Sequence, residues 1–144
     1  MTEKPSLTLR RRFAAVPKLV YRAWTDASML MMWFGPAGAK TLSAEADARP
    51  GGRYHIVFTT PDGETHDVSG TYRDAAEFTL LAFSWMWRTL PDRASFVVLT
   101  FEDDGKGGTD FTMHHSGFFD EEARDGHIEG WTGALDNLER FLAG

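Results

Sequence analysis

The period of the hydrophobic positions changes three times along the chain. Leu7, Leu9 and Arg11 alternate with Thr8, Arg10 and Arg12, the two-residue period of a strand. The period then lengthens: Val16, Val20 and Trp24 fall at i, i+4 and i+8, one face of a short helix that Pro17 can open. Asp26 suits the N-cap of a second short helix, in which Leu30, Trp33 and Phe34 repeat at three and four residues before Gly35-Pro36 ends it. From Ala39 to about Thr112 the period is two again, broken at Pro50-Gly51-Gly52, Pro61-Asp62-Gly63, Asp74 to Glu77, Pro91-Asp92 and Asp103 to Gly108. These breaks predict strands over 39–49, 53–60, 65–73, 78–89, 94–102 and 109–116, which makes seven with the first. Turns this short imply antiparallel neighbours in a meander. In the tail, Ile128, Trp131, Leu135, Leu138 and Leu142 step by three, four, three and four, predicting an amphipathic helix from near Asp120 to about Phe141. Asp120, Glu121 and Glu122 suit the positive end of its dipole. Strands grouped together with helices at either end define an α+β class, one sheet covered by helices.

Side-chain parity gives each strand an apolar face: Tyr54, Ile56 and Phe58; Leu81, Phe83, Trp85 and Trp87; Val97, Leu99 and Phe101; Phe111, Met113 and His115. One side of the sheet is therefore heavily aromatic, and the tail helix has to cover it. That helix carries Gly126, Gly130 and Gly133, each costing about 1 kcal/mol relative to alanine in a helix interior. Two reasons offer themselves: close approach of helix to sheet, or room in front of the sheet for a guest molecule. For Trp131 the expectation is an indole presented to the sheet, with the adjacent Gly130 letting the backbone approach.

Composition narrows the classes. A length of 144 residues suits a single domain over 1–144, and 42% hydrophobic with 25% charged residues is ordinary for a globular chain. The formal net charge of −6 repels phosphate backbones and anionic lipid surfaces, so neither nucleic acid nor membrane is an expected partner. Without cysteine there is no disulfide, thiolate metal site or thiol nucleophile, and a reducing cytoplasmic location is the expectation. Arg10-Arg11-Arg12-Phe13 superficially matches a twin-arginine export signal, but only Ala14, Ala15 and Val16 precede Pro17, far short of the roughly 7–15 apolar residues such a signal needs. Nothing is expected to be cleaved or inserted.

No nucleophile elbow, phosphate loop or dinucleotide fingerprint is present, and no cofactor is expected. His114 and His115 are adjacent, so on a strand they point to opposite faces and cannot share one metal ion. Parity puts His115 on the inner face with Met113 and Phe111, and His114 outside. His127, from the first half of the tail helix, can approach the same space, where either ring would orient a ligand or move a proton, or simply bond locally. His55 and His66 lie beside turns and are expected at the surface. Asp47 and Arg49, two apart on one strand face, are expected to pair with each other or with nearby backbone, and Met29, Met31 and Met32, beside Trp33, to fill gaps rather than line a cavity mouth.

Several of these pieces recur together: Trp33-Phe34-Gly35-Pro36, Asp47 through Tyr54, Asp62-Gly63, Gly70-Thr71-Tyr72, Ser84-Trp85-Met86-Trp87, Gly108-Thr109, and His127 followed by Gly130-Trp131 with Leu135 and Leu138. In this order they resemble the bacterial family related to the C-terminal domain of the activator of the heat-shock-protein-90 ATPase, within the START-like (SRPBCC) superfamily. The resemblance implies a helix-grip fold: a curved seven-stranded antiparallel sheet wrapped around a long C-terminal helix, two short helices after the first strand, and a cavity between sheet and long helix. With such a cavity, the aromatic strand faces make a small-molecule binding protein for an apolar or aromatic ligand the leading expectation, with Trp33, Tyr54, Ile56, Phe58, Phe83, Trp85, Trp87, Met113, His115, His127 and Trp131 as the candidate binding residues. Two alternatives go with it. One is a cyclase- or dehydratase-like enzyme using His115 or His127. The other is a stress-related protein with a chaperone partner, although 144 residues leave no room for the co-chaperone's separate N-terminal chaperone-binding domain. A monomer or homodimer is expected.

Overall fold

The computed structural model describes residues 4–144. Seven strands form one sheet: β1 (Ser6–Phe13), β2 (Lys40–Ala46), β3 (Arg53–Thr59), β4 (Thr65–Ala76), β5 (Leu80–Trp87), β6 (Ser95–Asp103) and β7 (Thr109–Ser116). Their order is β1-β7-β6-β5-β4-β3-β2, and every neighbouring pair is antiparallel. Helices α1 (Pro17–Thr25) and α2 (Ala27–Trp33) follow β1, and α3 (Glu121–Ala143) closes the chain. This is the curved sheet, helix pair and long terminal helix of the helix-grip arrangement.

Local chemistry sets the helix starts. Pro17 occupies the first turn of α1, where its missing N–H would have no intrahelical partner. The carboxylate of Asp26 accepts the Met29 N–H at 3.1 Å, and that of Asp120 accepts the Ala123 N–H at 2.8 Å, each satisfying one orphan donor of α2 or α3. The apolar faces read from parity are the faces that pack: Val97, Leu99, Phe101, Phe111, Met113 and His115 are all essentially inaccessible. Against them lie Val20, Tyr21, Ala23 and Trp24 of α1, Leu30 and Trp33 of α2, and Trp131, Ala134, Leu135 and Leu138 of α3.

Five local expectations need correction. Strand β4 continues to Ala76 through a register shift between Tyr72 and Asp74, and the break falls at Phe78, whose φ of 68° turns the chain. Val16 is the exposed N-cap of α1 and not part of its buried face. Ile128 is exposed, and the buried stripe of α3 begins at Trp131. Asp47 and Arg49 do pair, at 2.8 Å, but in the turn after β2 and not on a strand face. Met31 and Met32 are exposed on the outer side of α2 and fill no gap in the core.

The glycines of α3 separate cleanly. A Cβ on Gly133 would stand 2.6 Å from the Ala37 amide nitrogen, so this glycine, and not Gly130, lets the helix approach, and what it approaches is the loop after α2. Asn137 fastens the same junction by donating to the Gly35 carbonyl at 3.0 Å. At Gly126 and Gly130 a Cβ would meet nothing within 4 Å. Gly130→Ala should therefore stabilise the fold by about 1 kcal/mol through helix propensity. Gly133→Ala should destabilise it, and denaturant unfolding of the two variants checks the opposite signs.

Candidate functional site

The sheet and α3 diverge toward the N-terminal half of the helix, and a pocket of about 740 Å³ lies between them. Its walls come from distant parts of the chain: Phe34, Gly35 and Pro36 after α2, Phe58 of β3, His66 of β4, Trp85 and Trp87 of β5, Ser95 of β6, Phe118 before α3, and His127, Gly130, Trp131 and Ala134 of α3. Leu90, Arg93, Phe119, Glu122, Gly126 and Glu129 are exposed and form the mouth. Gly126 and Gly130 line this space and project no side chain into it. Toward the other end of the interface the layers close, leaving a void of only about 10 Å³ among Trp24, Leu30, Phe34, Tyr54, Ile56, Tyr72, Phe83 and Trp85.

The sequence candidates divide accordingly. Phe58, Trp85, Trp87, His127 and Trp131 come together on the pocket wall. Tyr54, Ile56 and Phe83 sit around the small void, deeper in the core. Trp33 is buried with its indole donating to the Ala23 carbonyl at 2.9 Å, and Met113 is buried on β7; neither reaches the pocket. His115 lies directly behind the wall, bonded to two residues that line it, Ser95 and Trp131. His66, expected at the surface, is half-buried instead, its ring stacked 5.2 Å from that of Phe58. Sequence reading missed Phe118, Phe119, Ser95, Arg93 and Leu90. They lie in or beside loops without period, where only the Phe118-Phe119 pair before an N-cap hinted at a buried contact.

Two histidines and three tryptophans form one hydrogen-bonded network behind and along the wall. The indoles of Trp85 and Trp87 both donate to Nε2 of His127, at 3.3 and 3.1 Å. An acceptor at Nε2 requires the proton on Nδ1, which donates to the Ala123 carbonyl at 2.7 Å. Trp131 donates to Nδ1 of His115 at 3.0 Å, so the His115 proton sits on Nε2 and is given to the Ser95 hydroxyl at 2.7 Å. That hydroxyl in turn reaches the Trp85 carbonyl at 3.4 Å. Both rings are neutral. Burial, reinforced by the neighbouring His127 and His114, pushes His115 down to about 2. Burial also lowers His127, opposed in part by its bond to the Ala123 carbonyl.

This arrangement bears on proton transfer. A general base needs a free lone pair aimed at substrate, commonly with a carboxylate orienting the ring. Here the lone pair of each ring accepts indole N–H groups, and the N–H of each is held by Ala123 or Ser95 and not by a carboxylate. The network is suited to holding three indoles in fixed orientation. Potential metal ligands gather at the edge of the pocket that His66 lines: Asp62, Glu64 and His66 bring ligand atoms within 4.8 Å of one another at the β3–β4 turn. That convergence is accounted for by the turn, since Asp62 accepts the Thr60 hydroxyl and the Glu64 N–H while the Thr60 hydroxyl meets His66 Nε2 at 3.1 Å.

A sheet gripping a long helix, with an aromatic pocket between them, places the molecule in the START-like class. The sequence is matched over residues 14–143 by the family described as Activator of Hsp90 ATPase homolog 1-like protein, and the chain belongs to that family. Among solved structures it is similar to a protein from Chromobacterium violaceum at 25% identity, covering 96% of this chain and 97% of that one with a TM-score of 0.86. It is similar to the AHSA1 protein from Silicibacter pomeroyi at 26% identity, covering 96% and 98% with a TM-score of 0.86. A Rhizobium leguminosarum protein shares 28% identity over 98% of this chain and 95% of its own, with a TM-score of 0.79. No curated protein matches the sequence. Among the described residues no helix is long and apolar enough to cross a membrane.

Proposed function

We propose that the protein is a small-molecule binding protein whose guest, apolar or aromatic, occupies the pocket between β3, β5 and the first half of α3. The observation that carries this reading is an open space of about 740 Å³ with an aromatic wall on one side and two helix glycines that leave it unfilled on the other. Ligand sites of this kind typically span about 300–1,000 Å³ and are lined mainly by apolar and aromatic groups with a few orienting polar ones. Glycine in a helix interior is costly, and at Gly126 and Gly130 no packing neighbour requires it. The enzymatic alternative would need a ring nitrogen free for proton transfer, whereas those of His115 and His127 are engaged within the protein. A chaperone partner rests on the description of the family alone. We assign the activity to the cytosol on the cysteine-free composition.

Titration with Nile red, an uncharged dye whose emission rises in apolar surroundings, tests the reading. The wild type should bind saturably, and Gly130→Leu, which fills open space and strengthens the helix, should weaken binding at least about tenfold without lowering the melting temperature. Equal binding by both proteins would overturn it.

A further inference from the structure

The polar groups around the pocket are arranged unequally for the two signs of charge. Resting on the ligand-binding reading above, we propose that the guest is an organic cation: a protonated or quaternary amine carried on an apolar or aromatic body.

The wall offers ring faces, including those of Phe34, Phe58, Trp85, Trp87 and Phe118. An aromatic face carries the negative side of a quadrupole and attracts cations, most strongly where water is displaced. The indole, hydroxyl and helix-terminal donors that would hold an anion are already occupied. All three indole N–H groups of the wall donate to His115 or His127. The Ser95 hydroxyl is turned to the Trp85 carbonyl and the Thr60 hydroxyl to Asp62. The amino-terminal turn of α3, the usual backbone site for a carboxylate or phosphate, is capped by Asp120 and followed by Glu121 and Glu122.

Charge at the mouth points the same way. Asp120, Glu122 and Glu129 line it, against Arg93 as the single lysine or arginine among the lining residues. Arg93 is itself held over the Phe119 ring, 3.7 Å from its centroid, so an aromatic ring at this mouth already carries a cation. Glu122 and Glu129 are seven residues apart on α3, about two turns, and Gly126 and Gly130 lie on the same stripe. No side chain on that stripe therefore stands between the two carboxylates and the rings opposite. The formal charge of −6 on the whole chain adds long-range attraction of the same sign.

Calorimetric titration with three phenyl compounds of similar size decides the matter: benzyltrimethylammonium, its uncharged isostere neopentylbenzene, and the anion 3-phenylpropanoate. The cation should bind at least about fivefold tighter than the isostere, and the anion weakest. In the double variant Glu122→Gln/Glu129→Gln, affinity for the cation should fall about two- to fivefold for each charge removed, while that for the isostere stays the same. Rising salt should reproduce part of this loss in the wild type and little of it in the variant. Binding of the isostere as tight as that of the cation, preference for the anion, or a variant that keeps wild-type affinity for the cation would overturn the charge assignment and leave the pocket as a binding site. Failure of all three compounds and of Nile red would overturn the ligand-binding reading with it.

Discussion

Replacing Trp131 by alanine should lower stability by about 3–5 kcal/mol, seen as a fall in melting temperature of about 10–20 °C. The indole is buried where the pocket wall meets the core, with its ring centroid 4.8 Å from that of Trp85 and 5.8 Å from that of Trp24. Its loss removes those contacts and leaves Nδ1 of His115 without its donor. Trp131→Phe isolates the second effect, because it keeps most of the buried ring but removes the N–H. A cost of about 1–3 kcal/mol is expected for the unsatisfied acceptor. A Trp131→Phe protein as stable as the wild type would mean that the histidine–indole bond contributes nothing. Chemical denaturation of the three proteins at pH 7 measures both differences.

The second large effect is on acid stability. His115 in the unfolded chain takes a proton near pH 6.5, whereas in the folded protein it does so only near pH 2. The unfolded state therefore binds more protons over that interval, and stability rises with pH through it. The contribution of His115 is complete above about pH 6.5 and is lost at about 1.4 kcal/mol per unit as the solution is acidified, so that about 2 kcal/mol is gone by pH 5. His127 is shifted in the same direction and adds to the slope. His115→Asn offers an acceptor near the Nδ1 position without a titrating ring. Whatever its stability at pH 7, the slope of unfolding free energy between pH 4 and 6 should be shallower than that of the wild type by close to one proton. An unchanged slope would show that His115 is not held neutral by the fold.

Much of the architecture was legible because it follows from period. Alternation along β3, β5, β6 and β7 gave the buried face, since a strand exposes successive side chains to opposite sides, while Asp26 announced the start of α2 through its short acceptor side chain and Asp120, Glu121 and Glu122 that of α3 through their charge. Where β4 ends was not legible, because the bulge after Tyr72 shifts the pairing without changing composition. Ile128 continues the helical stripe perfectly in sequence, yet periodicity says which side of a helix is apolar and not which of its turns are covered.

The site was legible in part for a related reason. Trp85, Trp87, His127 and Trp131 are conspicuous as residue types, and parity or helical spacing orients them inward. The difference between Tyr54 or Phe83, packed in the core, and Phe58, lining open space, depends on where α3 leaves the sheet, which is a property of the assembled layers. The glycines show this most clearly. In sequence Gly130 and Gly133 offer the same two explanations, and only the Ala37 backbone lying against one and nothing against the other assigns them.

Native mass spectrometry of the protein purified without denaturation, run beside Gly130→Leu prepared in the same way, tests the central claim most directly. The account predicts that the wild type retains one equivalent of a small molecule from the cell and that the variant, folded and equally stable, retains none. A wild type carrying no additional mass, or a variant carrying the same mass as the wild type, would contradict it.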